Sequence, residues 1–302
     1  MEWLFVGRKM NKLIVDVLGI EKLSKYKVDG IIINSIDYSI FSNTKFNYEE
    51  IEKINNFCKV NKVLSIVAID KIFSENDLNN LTVFIEKLEK INIDYYIFSD
   101  LAIIDIFNKK KLLKKLIYKP NTLVTNYLDA EFLNNMGLNF FVSNEISLED
   151  ISQISSKTNL SIEIYGYHPI FYSKRRSLRN FSEYLNNIEI VNKTKYLKEE
   201  LREELYPIYE YNDVSIIYSS ERIALTKELE SIINVNFYKI NGDFLSEEEI
   251  FKIIDFYRNY FKSEIDLNEL KDSLISINPN VNNPFLYKKT CLTQTGEKNE
   301  KN

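Results

Sequence analysis

The chain has 302 residues, of which 45% are hydrophobic and 27% charged. Those are the proportions of an ordinary folded protein, and they exclude a disordered, collagenous or disulfide-stapled one. With 39 Lys and Arg against 44 Asp and Glu the net charge is −5, so the overall field repels polyphosphates and any nucleic-acid contact must be a local patch. Two cysteines, Cys58 and Cys291, lie far apart, and the chain has 1 histidine; this set cannot by itself build a metal-thiolate, iron–sulfur or multi-histidine centre. No secretory signal pattern opens the chain, and no apolar run reaches the roughly 18 residues a bilayer span needs. A cytoplasmic protein with neither membrane nor DNA as partner is expected.

In chain order, apolar β-branched runs alternate with segments of helical period. Strands are expected at 13–17 and 30–34, a helix at 48–61, a strand at 63–69, a helix at 75–91 opened by Ser74, a strand at 95–99 and a helix at 101–116. A strand at 122–125, a helix at 129–136, a strand at 140–143, a helix at 148–158 opened by Ser147 and a strand at 161–165 follow. The beat then breaks: 188–192, 208–211 and 214–218 read as short strands around an acidic stretch, the last two joined by an Asn212-Asp213 hairpin turn. It resumes with a strand at 237–241 and a helix at 247–260 opened by Ser246. Eight strands alternating with helices predict an α/β fold, a TIM-like (β/α)8 barrel spanning 1–290. A small β-rich insertion at 180–221 separates strands 7 and 8, and a disordered tail covers 291–302. The rival, an open doubly wound sheet, usually carries a glycine-rich turn after its first strand, where Val17-Leu18-Gly19-Ile20 has a single glycine.

Parallel barrels carry function at the C-terminal ends of their strands. Beyond strand 7, residues 163–181 gather Glu163, Tyr165, His168, Lys174, Arg175, Arg176 and Arg179. Arginine forks suit carboxylates and phosphates, so the segment reads as an anion site at the barrel mouth, or as a solvated loop paired with the acids of 199–204. Lys239 and Asp243 flank the end of strand 8 and would face it, Lys239 binding a metabolite carboxylate or closing an internal ion pair. Lys109, Lys110, Lys111, Lys114 and Lys115, with Lys119, could track an RNA backbone or serve as solvated helix-dipole partners. The 20 Tyr and 19 Phe could stack on bases or simply fill the core. Proteolysis would need His168 as general base, Cys58 or Cys291 beside it, or a Glu163–Asp243 carboxylate pair. No HExxH metal motif is present.

The run Glu-Ile-Tyr-Gly-Tyr-His-Pro-Ile-Phe-Tyr-Ser-Lys-Arg-Arg-Ser-Leu-Arg-Asn-Phe from Glu163 to Phe181 resembles the signature segment of the peptidase U32, or collagenase-like, family. Tyr238-Lys239-Ile240-Asn241-Gly242 and Pro284-Phe285-Leu286-Tyr287-Lys288-Lys289-Thr290 resemble its later motifs, in the same order. The resemblance implies a TIM-like barrel and either a peptidase (hydrolase) activity or a part in hydroxylating tRNA wobble uridine, with prephenate as a required metabolite. Many members hold an iron–sulfur cluster through four cysteines; here Phe171 and, near enough, Arg176 occupy the two signature positions, so no cofactor is expected on this chain. That pattern resembles a cysteine-free subfamily that pairs with a cysteine-bearing paralogue. It implies an accessory subunit that binds a small anionic, prephenate-like metabolite or an RNA phosphate through Arg175, Arg176, Arg179 and Lys239. A genuine protease and a noncatalytic scaffold for the paralogue are the alternatives.

Overall fold

The structure, a computed structural model, describes residues 12–185, 195–201 and 203–287. The first half is a run of strands and helices: β1 (Lys12–Asp16), β2 (Gly30–Asn34), α1 (Tyr48–Asn61), β3 (Leu64–Ile69), α2 (Leu78–Lys90), β4 (Tyr95–Phe98), α3 (Ala102–Lys109), β5 (Leu116–Tyr118), α4 (Tyr127–Asn135), β6 (Asn139–Phe140), α5 (Leu148–Lys157) and β7 (Leu160–Gly166). The second half holds β8 (Pro169–Ser173), α6 (Ser177–Tyr184), β9 (Lys195–Lys198), β10 (Leu205–Tyr211), β11 (Val214–Tyr218), β12 (Ile223–Ala224), β13 (Val235–Ile240), α7 (Glu247–Phe261), α8 (Leu267–Ile277) and α9 (Pro284–Tyr287).

One sheet runs in the order β12-β7-β13-β1-β2-β3-β4-β5-β6, parallel except for β12, which pairs antiparallel to β7. It curls until its flanks meet at one parallel bridge between Phe141 and Ser161, where the Val142 N–H reaches the Ser161 carbonyl at 3.1 Å. Strands such as β2, Gly-Ile-Ile-Ile-Asn, are buried along their whole length, because one face meets helices and the other lines the inside of the curl. Ile14, Ile32, Ile66, Ala68, Ile97, Ile117, Phe141 and Phe237 fill that inside, while Leu13, Val15, Ile31, Ile33, Val67 and Ile69 pack outward under the helices. Each buried Ile or Leu is worth roughly 1.5–3 kcal/mol, so alternation along the strands dictates how the sheet faces. Capping boxes at Asn47–Glu50, Ser246–Glu249 and Asp266–Glu269 hold the starts of α1, α7 and α8. Among the described residues no helix is long and apolar enough to cross a membrane.

Two expected elements are displaced. The helix expected over 101–116 stops at Lys109, and Lys111 adopts a left-handed conformation at φ 58°; Leu112, Leu113 and Leu116 continue the helical spacing and disguise β5. The strand expected at 122–125 is absent: Val124 sits at φ 65°, which no strand allows. The loop read over 163–181 contains β8 and α6 instead. The second sheet, in the order β8-β11-β10-β9, therefore begins at Pro169 rather than near 180. The strand expected at 188–192, and the tail at 291–302, lie outside the described residues. The Asn212-Asp213 turn joins β10 to β11, with Asn212 at φ 52°. This sheet lies on the C-terminal ends of the parallel strands: Val214, Ile216 and Tyr218 pack with Ile40, Phe41, Tyr172 and Phe244. Tyr218 Oη donates to the Phe41 carbonyl at 3.0 Å and Tyr211 Oη to the Ile36 carbonyl at 2.9 Å.

Gly166 ends β7 at φ +117°, where an added Cβ would lie 2.7 Å from both the Cβ and the carbonyl oxygen of Asn241. Gly137 is also left-handed, at φ +80°, but its nearest neighbour would be 3.9 Å away. Gly166→Ala is expected to cost more than about 3 kcal/mol, strain plus a backbone clash, and Gly137→Ala only about 1 kcal/mol. Urea denaturation of the two variants checks the difference.

Candidate functional site

Inside the curl, the residue two places beyond each inward apolar side chain points the same way. From Ile14 the step leads to Asp16, from Ile32 to Asn34, from Ala68 to Asp70, from Ile117 to Lys119, and from Phe237 to Lys239 and then Asn241; Ser161 leads likewise to Glu163. All of these polar residues are buried. The parallel register sets Lys239 beside both Ile14 and Glu163, so one polar layer caps the apolar filling at the strand ends.

Glu163 is the hub. Its Oε1 lies 3.1 Å from Lys239 Nζ and 3.2 Å from Lys119 Nζ, while its Oε2 is 2.7 Å from His168 Nδ1 and accepts from Asn144 Nδ2 at 2.8 Å. Lys239 Nζ also meets Asp16 Oδ2 at 2.9 Å, and Asn34 Nδ2 donates to Asp16 Oδ1 at 3.2 Å. Lys119 donates to Asn121 Oδ1, and Asn121 Nδ2 is buried without a protein partner. The His168 backbone is pinned by Ser219, whose Oγ accepts from His168 N at 3.1 Å. Around the rim, Asp70 accepts from Ile40 N at 2.8 Å and Asp243 from Asn43 N at 3.0 Å. Lys45 donates to the Ser42 carbonyl and lies over the Tyr209 and Tyr211 rings.

The charges answer one another. Burial pushes Glu163 up, but Lys119, Lys239 and His168 outweigh it and hold the carboxyl well below the usual range. Burial alone would lower Lys239, yet Asp16 and Glu163 raise it. Asp243 is driven by burial and by Asp16 up to about 7, and burial raises Asp70 as well. Burial lowers Lys45 to about 8. Between Asp16, Asp70, Lys119 and Lys239 remains a cavity of about 20 Å³, room for one water. A second, of about 30 Å³, lies against Glu163 and His168 beneath Ile223, Asn283 and Leu286.

Of the expected site residues, the structure brings Glu163, His168 and Lys239 together and buries Asp243 at the rim. Tyr165 is buried on the helix-facing side of β7. Arg175, Arg176 and Arg179 do not enter the mouth, because β8 carries the chain away and releases it on the outer side of the second sheet. Arg175 and Arg176 are exposed there, and Arg176 pairs with Asp213 rather than with the acids of 199–204. The expected lysine cluster lies near the start of β5, at the opposite end of the sheet. There Lys109 pairs with Asp105, Lys110 with Glu86 at 2.7 Å and Lys115 with Glu89 at 2.8 Å, while Lys111 and Lys114 are exposed. The sequence pattern alone does not single out Asp16, Asp70 or Lys45, and it groups Lys119 with the lysine cluster as an RNA contact; the step of two along each strand is the signal for Asp16, Asp70 and Lys119, whereas Lys45 lies in the loop between β2 and α1 and carries no such signal.

Cys58 is fully buried on α1, and burial pushes its thiol up to about 12, the opposite of an activated nucleophile. Phe171 and Arg176 offer no thiolate, so the described residues do not fit an iron–sulfur cluster.

Glu163→Gln leaves two buried ammonium groups short of a counter-charge and is expected to cost about 3–5 kcal/mol in urea denaturation, with Arg176→Gln leaving the midpoint unchanged. Asp243, ordinarily near 3.8 and about 7 in the fold, keeps its proton when folded after the unfolded chain has released it. Its contribution is complete below the lower value and is lost as pH rises through the higher one. The stability of the wild type relative to Asp243→Asn should therefore fall between those two values; a pH-independent difference would contradict the assignment.

The family model described as peptidase family U32 matches residues 16–289. A curated relative, tRNA hydroxylation protein P2 of Bacillus subtilis (strain 168), is 23% identical over 267 residues, 82% of this chain and 86% of the relative. A solved structure of the U32 peptidase Mk0906 superposes with a TM-score of 0.51 at 12% identity, covering 77% of this chain and 92% of that one, a likeness of fold. Together with the signature run at 163–181, the extent of the family match leaves one conclusion: this chain belongs to peptidase family U32.

Proposed function

We propose that the protein is an accessory subunit in tRNA wobble-uridine hydroxylation. In this reading it is a TIM-like barrel over 1–290 with the β-rich sheet inserted between its last two parallel strands, as the Phe141–Ser161 bridge supports. It works in the cytoplasm beside a cysteine-bearing U32 paralogue that supplies any redox centre, and it holds a small anionic, prephenate-like metabolite at the strand ends. The resemblance in sequence to the Bacillus subtilis relative supports the pathway.

The observation that carries the metabolite reading is the convergence of two buried lysines in this layer, Lys119 and Lys239, on the single Oε1 of Glu163, at 3.2 and 3.1 Å. Removed from water, such a layer gains from an added anion far more than a solvated one would. A carboxylate entering beside Lys119 and Lys239 would take over the contact those lysines make with Glu163 Oε1, while His168 and Asn144 keep Glu163 in place through Oε2. The cavity of about 20 Å³ holds one water and no metabolite, so this reading requires the segment carrying Phe41 to Lys45, with the second sheet above it, to move aside when the ligand enters.

Cells carrying Lys239→Ala or Lys119→Ala in place of the native gene should lose hydroxylated wobble uridine by at least tenfold, read by mass spectrometry of tRNA nucleosides. Native levels with both variants folded would overturn the reading.

A further inference from the structure

The arginines that the mouth does not use form a surface of their own. Along β8 to β11 the alternation that turns Tyr172 and Ile216 toward the mouth turns Phe171 and Ile217, paired across the two strands, to the outside. Helix α6 starts on that outer side: its Ser177 N–H donates to Ser215 Oγ at 3.0 Å and its Leu178 N–H to Glu210 at 2.7 Å. Glu210 is thereby engaged by the helix start, and the basic turn before it projects outward.

That turn and helix carry Lys174, Arg175, Arg176 and Arg179, with Asp213 and Glu183 as the neighbouring acids. In a chain of net charge −5 this is a local excess of positive charge, and three of its cations are fork-shaped donors suited to phosphate. Beside it, large rings face solvent where a folded protein normally hides them: Phe171 is 49% exposed, Phe181 53% and Tyr184 82%. Phe181 and Tyr184 are three residues apart on α6, on one helix face. Arginines for phosphates next to open rings for bases are the two elements of single-stranded RNA recognition. With Arg176 paired to Asp213, Lys174, Arg175 and Arg179 remain for the phosphates beside the open rings, a pairing of charge and stacking surface that suits RNA better than a protein partner.

We propose that the outer side of the second sheet, from Phe171 through Tyr184, binds a single-stranded loop of RNA, with Arg175 and Arg179 on the backbone and Phe181 and Tyr184 stacked on bases. This inference rests on the tRNA reading above and divides its labour: the arginines take the nucleic acid outside, and the buried lysines take the metabolite inside.

The purified full chain is titrated with a fluorescent anticodon stem-loop RNA, and with the same sequence in a fully paired duplex, over a range of salt. The loop should bind more tightly than the duplex. Arg175→Gln with Arg179→Gln should weaken binding and flatten the salt slope by about two, and Phe181→Ala with Tyr184→Ala should weaken it about tenfold or more. Lys109→Gln with Lys111→Gln, at the other end of the sheet, should change nothing. Wild-type affinity in the arginine and ring variants, absence of RNA binding by the wild type, or dependence on Lys109 and Lys111 would each overturn the proposal. So would variants that keep RNA but lose a cysteine-bearing paralogue, since the face would then be a protein interface. The pathway reading fails separately, if deleting the gene leaves tRNA wobble nucleosides unaltered.

Discussion

Burying Glu163 with Lys119 and Lys239 is the constraint around which the rest is arranged. Charges this deeply buried survive only when each finds its opposite at hydrogen-bond distance, and such a meeting needs three strands to deliver their side chains to one level. Hydrogen-bonded parallel register does this directly for β7 and β13, where Lys239 lies beside Glu163. Lys119 arrives from β5 across the curl. The curvature of the sheet and the ion network are thus mutually dependent: an open, flat sheet would leave Lys119 far from Glu163.

The second sheet follows from the same requirement. A layer of charge at the strand ends would be wet if left uncovered, and its electrostatic pairs correspondingly weak. Ile40, Phe41, Tyr172, Ile216, Tyr218 and Phe244 form an apolar cover, tied down by tyrosine hydroxyls on the carbonyls of Ile36 and Phe41. Gly166 permits the sharp exit from β7 into this cover, because its backbone passes so close to Asn241 that no side chain fits. The hub carboxylate, the cover and the left-handed glycine are therefore one assembly, and the basic turn at 174–179 is displaced to the outside by the strand that builds the cover.

Most strands were legible because buried parallel strands are continuous apolar runs, and the helices because hydroxyl caps precede acidic first turns. β5 was hidden: Leu112, Leu113 and Leu116 keep a helical spacing, and the left-handed turn at Lys111 that ends the helix has no glycine to announce it. Losing β5 also hid Lys119, which read as the end of a lysine-rich helix rather than as the residue after a strand. Glu163, His168 and Lys239 were recognised from their place at strand ends. Arg175 and Arg176 were misplaced because the sequence around Pro169 has no marker telling an antiparallel strand from an irregular loop. Which side of a second sheet a turn projects from depends on tertiary packing, and a linear pattern does not carry it.

The central claim is that a small anion is held by the buried lysines rather than by the exposed arginines. It is tested most directly by thermal unfolding of the purified chain in increasing concentrations of prephenate, because a ligand bound only by the folded state raises the midpoint in step with its concentration. The account predicts a rising midpoint for the wild type and for Arg175→Gln, and none for Lys239→Ala. A rise that survives Lys239→Ala but disappears in Arg175→Gln, or no rise in the wild type, would contradict it.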